Sequence, residues 1–268
     1  MVSTFTTVCC VMTLFVSLIL PVLALILYAR KKKGILSAWL LGAAGFVVSQ
    51  VVVRLPILTA LGRNASFVAF SQNHLVVYGL GLAFTAALFE LAGRLAAAKL
   101  LERKGLTWER SVAAGMGHGG IEAMILIGMS FIANLVYIFM LNSGTFDAMV
   151  AQAAAAGADT AQLEAVRDAL VNTSSWMFLL AAVERLLTMV LHAAMSALVC
   201  FGVHRGKTLA ASLGCLALHT LVDSSATVSM LLPQSQAYPI IYTCLGVLAV
   251  GAVFLLRTIR SRWEAESC

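Results

Sequence analysis

The chain has 268 residues, of which 61% are hydrophobic and 11% charged, with a formal net charge of +6 and a mean hydropathy of +0.95. A soluble domain carries about 45–50% apolar and about 25% charged residues, so this apolar surplus has no interior large enough to hide in. Those values exclude a water-soluble enzyme and a disordered or collagen-like chain; because the positive charge sits in short clusters and not along one face, they also exclude a nucleic-acid binder.

A bilayer span needs roughly 20 mostly apolar residues. Seven segments qualify, at about 5–29, 35–53, 67–98, 111–141, 174–203, 208–230 and 238–256. The first is too long for the apolar stretch of a cleavable signal and has no basic residues before it, so it counts as a span. Lipid cannot satisfy open backbone groups, which leaves helices or a closed barrel; runs this continuously apolar are helical, not the alternating strands of a barrel. The third, fourth and fifth exceed what a bilayer requires, and tilt or protrusion is expected. Between the fourth and fifth, residues 142–173 are Ala-rich with Asp147, Asp159, Glu164 and Asp168, which predicts one or two short exposed helices acting as a cap or spacer. The sequence reads as one integral membrane domain, 1–268, with core helices over about 67–230.

Thirteen of the eighteen Lys and Arg fall in alternate loops and the tail: Arg30 to Lys33, then Lys99, Arg103, Lys104 and Arg110, then Arg205 and Lys207, then Arg257, Arg260 and Arg262. Arg54, Arg63 and Arg167 fall opposite. By the positive-inside rule the N-terminus is outside and the C-terminus cytoplasmic, in a multi-pass protein of a bacterial plasma membrane. The six cysteines, Cys9, Cys10, Cys200, Cys215, Cys244 and Cys268, show no metal-finger spacing and read as small buried hydrophobes.

Nine ionisable residues lie inside the apolar stretches, all in spans three to six: Glu90, Arg94, His118, Glu122, Glu184, Arg185, His192, His219 and Asp223. A charge at the bilayer centre costs at least about 2.5–3.5 kcal/mol, so nine on four consecutive helices point to one shared interior site, with spans one, two and seven as a packing shell. Glu90 and Arg94, His118 and Glu122, and His219 and Asp223 are each i,i+4 pairs on one helix face. Arg185 and His192, i,i+7, also share a face, whereas Glu184 and Arg185 come out nearer the outer half. Gly115, Gly117, Gly119 and Gly120 surround His118 in GMGHGG; they let helices approach closely in lipid and leave room beside the ring for water or a substrate backbone. Each feature also has a plainer reading. Glu90–Arg94 can be a neutralising ion pair, the glycines packing, Glu122 and Asp223 orienters of their histidines, and His74 an interfacial group.

Three histidines with carboxylates suit hydrolysis, in which one group takes a proton from water while others stabilise an oxyanion. They also suit the relay of protons or binding of a metal along a pathway. HExxH, GxSxG and GxGD are all missing from the sequence.

FELAGR (Phe89–Arg94), GMGHGGIEA (Gly115–Ala123), ERLLTMVLHAAMS (Glu184–Ser196) and LHTLVDSS (Leu218–Ser225) occur in that order on consecutive helices. Together they resemble the YhfC family of membrane peptidases, which is related to the CAAX-protease and bacteriocin-processing superfamily. That superfamily's EExxxR, FxxxH and HxxxN/D pattern is met here by Glu90-x-x-x-Arg94 and His219-x-x-x-Asp223, with Phe89 in place of its first glutamate and either His118 or His192 as the middle histidine. The resemblance implies an all-α, seven-helix intramembrane endopeptidase with a four-helix catalytic core from spans three to six. Glu90 (or Glu122) would activate water, and His118 or His192 with His219 would bind that water or the oxyanion. Asp223 would orient His219, with Arg94, Glu184 and Arg185 in support. A glutamate-dependent mechanism requiring no cofactor is the preferred expectation; zinc held by His118, Glu122, His192 and His219 is the alternative. The expected partners are membrane lipid and a membrane-protein or peptide substrate, with no nucleic acid. The rival readings are an ion or small-solute carrier, against which the lack of an internal repeat speaks, and an inactive membrane scaffold of the same family.

Overall fold

The computed structural model describes residues 1–265; Cys268 lies outside them. Among the described residues every regular element is helical. In chain order these are α1 (Thr4–Ala29), α2 (Ile35–Leu61), α3 (Ala65–Asn73), α4 (Leu75–Glu102), α5 (Trp108–Ser143), α6 (Phe146–Ala155), α7 (Ala161–Asn172), α8 (Met177–His204), α9 (Thr208–Met230) and α10 (Gln234–Ala265). Seven of them, α1, α2, α4, α5, α8, α9 and α10, are long and apolar enough to cross a membrane, as the sequence predicts, and the 142–173 segment holds the two short helices α6 and α7.

Two predicted boundaries are corrected. The second span does not stop near 53 but continues to Leu61, through Pro56. A proline normally breaks a helix by leaving a carbonyl unpaired, but here it follows a π turn, Val47–Arg54, in which the Leu55 N–H already reaches back to the Gln50 carbonyl. Arg54 therefore lies inside a membrane helix and not in a loop. The third span starts at Leu75 instead of 67. Asn64 caps α3, its side chain accepting from the Phe67 N–H at 3.1 Å, and His74 then leaves helical geometry with φ −131° and ψ 53°.

The chain packs as two compact units, each assembled from separated segments. The first comprises residues 1–20 and 123–186. Its core joins Val2, Cys10, Phe131, Ile138 and Leu170. Thr13 Oγ1 donates to the Phe178 carbonyl at 2.7 Å, and the Asn142 side chain bonds both the Val2 N–H and its carbonyl, at 2.7 and 3.2 Å. Such bonds let polar groups sit in apolar surroundings without loss.

The second unit comprises residues 21–122 and those from 187 onward. Its apolar core runs through Leu91, Leu101, Leu191, Met195, Val199 and Cys215; across the chain Cys9, Cys10, Cys200 and Cys215 are buried as small hydrophobes, while Cys244 is half-buried. The glycines of GMGHGG set its geometry. A Cβ on Gly117 would meet the Trp39 carbonyl of α2 at 2.0 Å, and one on Gly115 would meet the Ala193 Cα of α8 at 2.5 Å. With glycine on both faces, α5 lies against α2 and α8 at backbone contact, and His118 between them is fully buried. The expectation of open space beside His118 is corrected: protein fills it.

Candidate active site

Seven of the predicted residues meet within the second unit. Glu90, on α4, is 4% exposed, and its Oε2 gathers four groups. Arg94 Nη2 donates to it at 3.0 Å, His118 Nε2 lies at 2.9 Å, His219 Nε2 at 3.5 Å and His192 Nδ1 at 4.0 Å. The rings of His118 and His192 stack with centroids 5.4 Å apart, and His219 meets His192 edge-on at 5.7 Å. Phe46 closes the cluster with its edge against His118.

Arg94 is more than Glu90's partner on the helix. Its Nη2 also lies 2.7 Å from His192 Nδ1, and Nη1 donates to Ser196 Oγ at 3.0 Å. An arginine cannot accept, so His192 Nδ1 is the acceptor and its proton sits on Nε2, which faces Glu122 Oε2 at 2.8 Å. Glu122 thus faces His192 of another helix and not His118, its i,i+4 neighbour in the sequence. Asp223 faces its own i,i+4 histidine: its Oδ2 lies 3.5 Å from His219 Nε2, the same nitrogen that faces Glu90. His118 Nδ1, His219 Nδ1 and Arg94 Nε are buried and lack a hydrogen-bond partner among the described residues. Glu184 and Arg185 fall in the first unit, where Arg185 donates to Glu184.

Sequence reading passed over three side chains. Gln50, buried on α2, donates through Nε2 to Glu90 Oε1 at 3.0 Å and to the Ala86 carbonyl at 3.1 Å. Arg54, one turn on, donates to Gln50 Oε1 at 3.2 Å, to the Leu82 carbonyl at 2.7 Å and to Thr85 Oγ1. Ser196 follows His192 by four residues. The signal was present: Gln50-x-x-x-Arg54 repeats the i,i+4 spacing of the other three pairs, in a π turn, a feature that often marks functional sites.

The donor atoms of Glu90, His118 and His192 lie within 4.8 Å of one another. Two imidazoles and a carboxylate, with a fourth position left for water, are a ligand set of catalytic zinc, and the orphaned His118 Nδ1 fits a ring whose opposite nitrogen is committed. The residues therefore fit a metal, with Glu90 joining His118 and His192 where sequence reading had offered Glu122 and His219. Arg94 sits on His192 Nδ1, so a metal could use that nitrogen only after the guanidinium had let go.

The profile of the YhfC intramembrane metalloprotease family matches residues 16–242. A curated relative, the "Uncharacterized membrane protein YhfC" of Bacillus subtilis (strain 168), is 26% identical over 237 residues, covering 88% of this chain and 90% of its own. No solved structure matches. With most of its length under that profile, this multi-pass membrane chain belongs to the YhfC intramembrane metalloprotease family.

Proposed function

We propose that the chain is an intramembrane endopeptidase whose reacting centre is the Glu90–His118–His192–His219 cluster, held in shape by Arg94, Glu122 and Asp223. One observation carries the reading: Glu90 Oε2 has imidazole nitrogens from three other helices and a guanidinium within 4.0 Å. A structural ion pair needs only Arg94. Three further imidazoles around one carboxylate oxygen, all under 5% exposed, form a set suited to moving a proton and meeting a developing negative charge.

Glu122 or Glu90 accepts the proton of the attacking water, and the Nε2–H groups of His118 and His219 face the oxyanion. Arg94 aims Glu90 through its bond to Oε2, while Gln50 fixes its second oxygen. If a metal is bound, Glu90, His118 and His192 would hold it, and it would lower the pKa of a bound water and polarise the scissile carbonyl; Glu122 is then the carboxylate left to take the proton. A second reading, hydrolysis by Glu90 without metal, is favoured by one feature: Arg94 Nη2 already bridges Glu90 and His192, supplying the positive charge at the place where an ion would supply it.

The test uses full-length protein in detergent, a helical reporter peptide and zinc analysis. Glu90→Gln and His118→Ala should each lower cleavage by roughly 10²–10⁴-fold, the range of general acid–base contributions; cleavage persisting in both variants rejects the site. One zinc per chain, with activity lost on chelation and restored by zinc, supports the metal reading, whereas full activity after metal removal supports Glu90 alone.

A further inference from the structure

Glu90, His118, His192 and His219 are each less than 5% exposed, so water and substrate need a way in. A cavity of about 260 Å³ is lined by Arg54 and Asp223 together with Gly79, Ala83, Ala86 and Thr227. Its two charged walls each lead to Glu90 through a single intermediate: Arg54 through Gln50, and Asp223 through His219.

Those walls carry unmet chemistry. All four hydrogen bonds of Arg54 go to neutral groups, and among the described residues it forms no ion pair. A cation inside a membrane helix is costly; the Asp223 and Glu90 carboxylates attract Arg54 electrostatically from beyond ion-pair distance, and its five N–H groups form a fork suited to carbonyl and carboxylate oxygens. Asp223, whose side chain is 32% exposed, has His219 as its ion-pair neighbour. The cavity thus offers donors on one wall and an acceptor on the other, the complement of a peptide group's C=O and N–H. The small side chains between them leave its volume to an occupant.

We propose that this cavity is the substrate subsite, receiving an extended peptide segment with short side chains, with Arg54 donating to a backbone carbonyl and Asp223 accepting from a backbone N–H. The proposal rests on the peptidase reading for what happens next, but not for the binding itself. It places a substrate-binding residue on the second span, outside the four helices that carry the cluster.

The test introduces Ala226→Cys, another position on the cavity wall, into the full-length protein in detergent. Modification of residue 226 by a charged thiol reagent is followed by peptide mass mapping, with and without an Ala-Gly-Ala-Gly peptide blocked at both ends. The cysteine should react, and the peptide should slow it; Arg54→Gln should weaken that protection by about tenfold, the worth of one hydrogen bond to a charged group, with Arg54→Lys recovering part of it. The same Arg54→Gln change should raise KM for the reporter by about that factor with kcat little altered. An unreactive residue 226, or a reactive one that the peptide leaves unprotected (water only), overturns the proposal, as does a fall in kcat at unchanged KM. Met230→Cys, also on the wall, serves if Ala226→Cys does not fold. Protection without cleavage of any peptide would sustain the subsite and sink the hydrolase; cleavage without protection would do the reverse.

Discussion

Two arginines in the molecule pair with carboxylates under opposite conditions. Arg167, on α7, bonds Asp147 and Glu164 and lies over the Phe146 ring with its charge 4.9 Å from the centroid; the Asp147 side chain is 79% exposed. Arg94 and Glu90, by contrast, expose 1% and 6% of their side chains. The first pair is screened and each side chain can satisfy itself in water, so it contributes little. The second is costly to bury and costlier to break, because whichever partner remains is an uncompensated charge in an apolar interior. The difference teaches that the same two residue types act as surface decoration in one place and as the organising centre of a site in the other.

The sharpest way to break the comparison is to remove one charge from each pair. Arg94→Gln should cost roughly 3–5 kcal/mol, the penalty for orphaning a buried partner, read as a large drop in thermal unfolding temperature in detergent together with loss of cleavage. Gly117→Ala probes the packing that keeps the pair dry. Its Cβ would fall 2.0 Å from the Trp39 carbonyl, and the strain should cost about 1–3 kcal/mol by the same measurement. Gln50→Leu should cost about 1–3 kcal/mol by leaving Glu90 Oε1 without its donor. Arg167→Ala should cost less than about 1 kcal/mol and leave cleavage unchanged; a loss as large as that of Arg94→Gln would erase the distinction between the two regions.

Much of the site was legible because lipid makes charge conspicuous. Glu90, Arg94, His118, Glu122, His192, His219 and Asp223 stand out in apolar runs, and i,i+4 spacing ties all but His192 to shared faces in pairs. Gln50 escaped because an amide is not ionisable and draws no attention in a hydrophobic stretch. Arg54 escaped because Arg-Leu-Pro reads as the end of a helix, and only the π turn before Pro56 explains why α2 continues. The glycines around His118 pointed in the sequence to close packing together with room beside the ring; that only the packing holds depends on the approach of Trp39 and Ala193, contacts distant in the chain. The two-unit division was likewise invisible, since α1, α5 and α8 each continue through its boundaries without a break in apolar pattern.

His192 is engaged at both ring nitrogens, by Arg94 on one side and facing Glu122 on the other. It cannot take up or hand on a hydrogen ion without surrendering one of those contacts, so it serves as a strut and not as a shuttle. On the proposed peptidase reading, proton transfer among the imidazoles is then left to His118 and His219, whose Nδ1 atoms lack a hydrogen-bond partner among the described residues, and nitrogen-15 spectra of the imidazoles should find one ring frozen in a single tautomer beside two that exchange.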